Sequence, residues 1–546
     1  MKSMRQLTFV LLALLVGVQS AHLLASEAPA TANKTTLSAY GYDEDVFPLL
    51  PGPHLFMDWR YVSDGKAVWV GPDKQPMPIK QKSQKAVPEA ERAEFERQIG
   101  WGDGRLPWGI RLEAVKPEKV GPIFLSDKPW ENRFQFPTLL KVDGKYRLYY
   151  EVEPPPGHEE ITNKISCLAE STDGKTWTKP NLGLVEFGGN KDNNIVYGGT
   201  LCRWGFTGHS VFIDPVAPAP ERYKMVYQAT VPREVVKSPE QGSLNGVGQE
   251  KGAGVQALMS AVSADGIHWK ENPRPLLAPI RDAQNTIYYD TILKRYVSFM
   301  RYKVLTRRAI GRAETADFYN WPGPKPVIWP GPQDEPSDDY YVNGKVLYPG
   351  APGEHMLLTS VYKGATDSTT LRLAASPDGT LWNWLPGGDL MTPGPDGSWD
   401  GGYFFMGGGT MVELPDDRVA LAFLSSRLPH KFPRFMRQGS AGLAVWQKER
   451  IAALVADSEA EFYSPVMSAQ GKELYLNFQT RRAGSIKVEV VDARGRALAD
   501  CDPLFGDQIK AKVTWKGESS LDPETLKQFQ LHFRLRAARL YSFEFK

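Results

Sequence analysis

One short pattern, Ser/Thr-x-Asp-x-x-x-Trp, occurs four times and constrains this chain more than any other feature. The copies span 171–177, 263–269, 315–321 and 376–382, and their aspartates Asp173, Asp265, Asp317 and Asp378 stand 92, 52 and 61 residues apart. The long first interval contains a polar, Gly-rich insertion at 232–254, so it still counts as one unit. Alternating apolar and polar runs precede the copies and read as strands, at 146–151 and 164–170, 223–230 and 256–262, 296–301, and 356–362 with 371–375. All-strand units of roughly 50 residues, each closing with a turn, predict the blades of a β-propeller. Within the pattern, the Asp carboxylate suits backbone amides of its own turn, and the Gly that follows in three copies accepts positive φ. The Trp suits the space between neighbouring sheets. The four aspartates are therefore read as structural.

A fifth unit lacks the pattern but keeps the strand order, at 402–414, 418–425 and 441–447. Blades are expected near 125–200, 205–275, 280–335, 338–395 and 400–450. After Asp457 the alternating strands at 474–480, 485–492, 510–516 and 529–545 carry no such turn. They predict a separate β-sandwich of about 90 residues. The expected plan is an all-β chain with a leader at 1–20 and an N-terminal extension at 21–124. A five-bladed β-propeller over 125–455 and a C-terminal β-sandwich over 456–546 follow. One short helix is expected at 88–99. A chain of 546 residues is too long for a single core, which agrees with this division.

Composition narrows the function classes. Sixty-five Lys and Arg against 63 Asp and Glu leave no basic excess for nucleic acid or a membrane surface. Three cysteines without metal-ligand spacing support neither a disulfide scaffold nor a zinc site, and no metal or cofactor is expected. Fifty Gly and 43 Pro suit many short strands joined by turns. Lys2 and Arg5, the apolar run at 7–18 and the small residues at 18–21 match a secretory leader. An exported protein, periplasmic or extracellular, with no membrane span in the mature chain is expected, its oligomeric state left open.

The SxDGxxW turns, together with VDGKYRLYY at 142–150, KPNLG at 179–183, KDNNIV at 191–196, FIDP at 212–215, ERYK at 221–224 and ARLYSF at 538–543, carry a resemblance. Over about 125–546 the chain resembles the five-bladed glycoside hydrolases of families 32 and 43, in the exported bacterial family-32-like branch. The resemblance implies the propeller-and-sandwich fold and a carbohydrate substrate. It does not carry over the family-32 catalytic carboxylates. Where that family places an Asn-Asp-Pro nucleophile motif this chain has Phe134-Gln135-Phe136-Pro137, and the Arg-Asp-Pro and Glu-Cys motifs have no counterpart.

In a propeller the starts of the inner strands converge at one mouth of the central channel. Those positions here are Glu131 and Arg133, His209, then Arg281, Asp282 and Asn285, then Asp338, Asp339 and Tyr340, and finally Trp399 and Asp400. Cleaving a glycosidic bond takes a protonated carboxyl on the leaving oxygen and a second carboxylate as base or nucleophile. Asp282 and Asp400 are the favoured base or nucleophile, with Glu131, Asp338 or Asp339 as the acid. Arg133, His209, Arg281, Asn285, Tyr340 and Trp399 are expected to bind substrate. Each carboxylate also has a structural reading: Asp282 and Asp400 as turn caps, Glu131 in a surface ion pair with an arginine, and Asp338 and Asp339 in a solvated loop after 334–337. The expected function is hydrolysis of a poly- or oligosaccharide. The alternatives are a non-catalytic carbohydrate-binding propeller and a sialidase- or lyase-like activity, for which Arg133 and Arg281 supply at most two of three arginines.

Overall fold

The computed structural model describes residues 36–65, 69–70, 76–77, 105–157, 164–236, 250–251, 254–432 and 436–546. The expected leader and helix 88–99 lie outside them. Nearly all regular structure is strand, and among the described residues no helix is long and apolar enough to cross a membrane.

Antiparallel sheets follow one another along the chain. The first runs Arg133–Val142, Lys145–Glu153, Ile165–Ser171, Ile195–Gly198, and the second begins Thr207–Ile213, Tyr223–Pro232, Gly254–Ser263. The third is Thr286–Asp290, Arg295–Val304, Arg307–Thr315, Lys325–Ile328. In the fourth, Asp338–Val342 and Lys345–Tyr348 both pair with Ala351–Lys363, which pairs with Ser368–Ser376. The fifth joins Tyr403–Met406, Arg418–Ser426 and Gly439–Gln447 to Glu118–Leu125, a strand from the N-terminal segment.

Side-chain alternation decides how these sheets pack. Leu139 and Tyr150 enter an apolar cluster shared with Leu424 and Leu443 of the fifth sheet. Their neighbours Leu140 and Tyr149 enter one shared with Met225 and Tyr227 of the second. Both faces of the first sheet are thus buried, which explains its near-continuous apolar sequence. Further clusters join the second sheet to the third, the third to the fourth and the fourth to the fifth. Leu140, Val211 and Ile287 of the first strands, with Leu347 and Met411, line one cavity of about 410 Å³. Each of the five sheets packs on two of the others.

The repeated turn does what its residues predict. In the first copy Gly174 N–H donates to Ser171 Oγ at 2.9 Å, and Lys175 and Thr176 N–H donate to Asp173 Oδ1 at 2.8 and 2.7 Å. The copies at Asp265 and Asp378 repeat this pattern. Trp177, Trp269, Trp321 and Trp382 each pack into an inter-sheet cluster.

C-terminal strands form one hydrogen-bonded sheet in the order Asp507–Lys512, Leu474–Val490, Leu531–Phe545, Ala452–Tyr463, Trp108–Ala114. The strands of 17 and 15 residues are broken by a register shift between Thr480 and Ser485, yet both halves feed one apolar cluster. Two features depart from the sequence expectation. The 108–114 and 118–125 strands make part of the N-terminal extension integral to both halves of the molecule. The expected boundary at 455/456 falls inside the strand Ala452–Tyr463.

Candidate active site

Antiparallel order places at one end of the ring both the starts of the inner strands and the hairpin tips joining second strands to third. In the first sheet Arg133 pairs with Glu153 and Gln135 with Glu151. Glu151 and Glu153 therefore reach the mouth from a second strand, and Lys164 arrives just before the third. Likewise the hairpin of the third sheet carries Arg301 and Arg308 past the start of Thr286–Asp290.

Glu151 is fully buried and accepts a hydrogen bond from Lys164 Nζ at 2.8 Å and another from Gly208 N–H. Burial alone would raise its pKa. The Lys164 ammonium, with His209 Nδ1 3.8 Å away, overrides this and holds the carboxyl at about 2. Lys164 also donates to Gln135 Oε1 at 2.6 Å and Thr207 Oγ1 at 3.0 Å. Its pKa is raised against burial by Glu151 first and Asp282 next. Glu151 is thus a fixed anion that anchors Lys164.

An aromatic wall stands beside this pair. Phe405 stacks on Tyr341 at 5.0 Å between centroids and on Phe136 at 5.5 Å. Phe136 reaches that position because a register shift between Gln135 and Pro137 puts its backbone at φ 43° and re-aims the ring. His430 packs edge-on against Tyr341, Tyr403 and Phe405. Arg133 Nε donates to Tyr403 Oη at 2.6 Å, and Arg133 Nη1 lies 3.5 Å from Glu153, whose side chain is 24% exposed.

The expected residues divide between the mouth and the scaffold. Asp282 is exposed and lies in the field of Lys164 and Arg301, and Arg281 beside it is half-buried. Asp339 pairs with Arg308, whose guanidinium also lies over Tyr341. His209 is wholly buried, its Nε2 3.1 Å from Ser166 Oγ, so it supports Glu151 from behind. Asn285 belongs to a belt of side-chain amides under the mouth. Its own amide donates to Ala283 O, while Gln284 donates to Pro137 O and His209 O and Asn343 to Gln284 O.

The remaining assignments need correction. Glu131 is fully buried and accepts from Tyr150 Oη at 2.6 Å, Lys179 Nζ at 2.7 Å and the amides of Asp127 and Lys128. It has no approach for a substrate and fixes a turn. Asp400 is held at 2.5 Å by Lys119 of the fifth sheet's outermost strand, and Trp399 packs on Phe423 in the cluster there. Asp282 and Asp400 thus answer to different cations, Lys164 and Arg301 for one and Lys119 for the other. Asp338 is buried in an ion pair with Lys363 at 2.7 Å, with Arg372 at 3.7 Å. Tyr340 donates to Asp334 and packs on Trp384, on the strand face opposite the mouth. Its neighbour Tyr341 is the residue that faces it. Sequence reasoning missed Glu151, Glu153, Lys164, Arg301, Arg308, Tyr341, Tyr403 and Phe405. Inner-strand alternation offered Tyr341, Tyr403 and Phe405; the others sit on hairpins whose reach needed the register.

No protein-family model matches the sequence, and no curated protein matches it. Among solved structures the chain is similar to one titled a glycoside hydrolase, with 12% identity over 66% of this chain and 95% of that one and a TM-score of 0.40. It is also similar to a thermostable family-43 glycoside hydrolase, with 14% identity over 61% and 95% and a TM-score of 0.39. A third is an N-acetylgalactosamine deacetylase from F. plautii in complex with blood group B trisaccharide, with 15% identity over 62% and 96% and a TM-score of 0.40.

Proposed function

We propose that this protein is an exported glycoside hydrolase-like enzyme, a five-bladed β-propeller with a C-terminal β-sandwich, that hydrolyses a poly- or oligosaccharide at this mouth. Five sheets, each packed on two of the others, support the propeller, and the register shift in the long C-terminal strands supports a sheet folded into two layers. The leader pattern at 1–20 supports export. One observation carries the activity. Two solvent-reaching carboxylates, Asp282 and Glu153, share the field of Lys164 beside a wall of stacked aromatic rings. A carboxylate pair suits acid–base cleavage of a glycosidic bond. Glu151, ionised down to about pH 2, donates no proton at neutral pH. It is a positioning residue acting through Lys164.

A second reading, the non-catalytic carbohydrate-binding propeller, is favoured by the Arg133–Glu153 contact, which gives that carboxylate a cation as a partner within the fold. One experiment separates the two. The purified protein is assayed on a glycan panel for binding and for released reducing sugar. Hydrolysis is expected, with Asp282→Asn and Glu153→Gln each lowering turnover by ~10²–10⁴-fold at unchanged circular dichroism. Binding without release selects the binding module, and neither binding nor release overturns both.

A further inference from the structure

Arg301 makes no ion pair among the described residues, although Asp282 lies within its electrostatic reach. One Nη donates to the Tyr341 carbonyl at 2.8 Å and the guanidinium carbon lies 4.4 Å from the centroid of the Tyr341 ring. Its Nε has no hydrogen-bond partner. Arg308 brings a second guanidinium to 4.9 Å from the same ring centroid. A third, Arg133, is 1% exposed, and its Nη2 has no partner. It too lies within the electrostatic reach of Tyr341. Burial pushes the Arg301 pKa down; Tyr341 and Asp282 push it back up, and the Arg308 charge acts with burial. A cation withdrawn from water beside another cation is costly unless an anion joins them.

We propose that Arg301, flanked by Arg133 and Arg308, is a subsite for a carboxylate borne by a sugar, so that the substrate is an acidic glycan containing uronic or sialic acid residues. The inference rests on the carbohydrate reading and adds the substrate class to it. A planar carboxylate matches the guanidinium fork, and a single negative charge suits the unpaired Arg301.

The test is binding of the full-length protein, by calorimetry, to uronate-containing oligosaccharides and to sialyllactose. Each is paired with its carboxyl-reduced twin, with a sulfated analogue and with the neutral parent. At least one carboxylated glycan is expected to bind ten- to a hundredfold more tightly than its reduced twin, the range for charge-assisted hydrogen bonds. Arg301→Gln is expected to erase that difference, and Arg301→Lys to keep part of it. If Arg301→Gln fails to fold, the comparison of twins on the wild-type protein decides alone. Equal affinity for the twins, or binding confined to neutral or sulfated glycans, overturns the acidic subsite and leaves the carbohydrate reading standing. Binding of no glycan at all overturns both.

Discussion

Glu151 joins the stability of the fold to the layout of the mouth. Its carboxyl is ordinarily half-protonated near pH 4.5 and here near 2, so the folded state favours the ionised form. Its stabilisation is fully present above about 4.5 and is lost as the pH falls from there through 2. That shift corresponds to about 3 kcal/mol. Glu151→Gln leaves Lys164 without its buried anion and is expected to cost about that much at pH 7 in urea unfolding. At pH 3 the gap to wild type should be clearly smaller. An equal gap at both pH values would show that the Lys164 pair is not the source. Residues of this kind were hard to read from sequence because burial and partners come from other strands. Glu151 and Glu153 share a strand of the first sheet, and Glu131, the same residue type, stands two residues before that sheet begins. One fixes a turn, one anchors a lysine and one reaches solvent.

Hairpins rather than strand starts carry most of the candidate site. The four Ser/Thr-x-Asp-x-x-x-Trp turns made the first four sheets legible, since turn chemistry is local and the Trp spacing fixes where each sheet meets its neighbour. The inner strands were also legible, and Arg133, Arg281 and Asp282 followed from them. Arg301 and Lys164 did not, because how far a hairpin projects depends on its register with the strand beside it. Tyr340 and Tyr341 show how narrow the margin is: a one-residue step turns a side chain to the opposite face. Gly208 is where the hairpin and inner-strand systems meet. It stands at φ 65°, donates its N–H to Glu151, and packs so closely on Ala283 that an added Cβ would collide with that carbonyl oxygen. Gly208→Ala is expected to cost roughly 2–4 kcal/mol from the left-handed backbone and the overlap together. By moving the segment that carries Asp282, it should also weaken glycan binding. Unchanged urea midpoint and unchanged affinity would remove Gly208 from this role.

The whole molecule is closed by a segment that its sequence did not mark. Glu118–Leu125 completes the fifth sheet against Gly439–Gln447, and Trp108–Ala114 completes the C-terminal sheet against Ala452–Tyr463. Val115, which follows directly on Trp108–Ala114, is itself tied down. Val115 N–H donates to Ile451 O at 2.9 Å, and Trp446 Nε1 donates to Val115 O at 2.8 Å. The strand Glu118–Leu125 is half-exposed without regular alternation, so its sequence lacks the period-2 signal that revealed the others. Edge strands stripped of their neighbour present unpaired backbone groups and recruit other chains. A chain beginning at Ser126 would uncover two such edges at once, and would lose the Lys119–Asp400 ion pair and the close packing of Gly121 on Trp399. It is expected to self-associate on size-exclusion chromatography and to unfold at lower urea than the full chain by tryptophan fluorescence. A peptide of residues 105–125 added in trans should recover part of the lost stability by refilling both edges. A monomeric 126–546 fragment with the full-length midpoint would show instead that the two sheets hold without this segment.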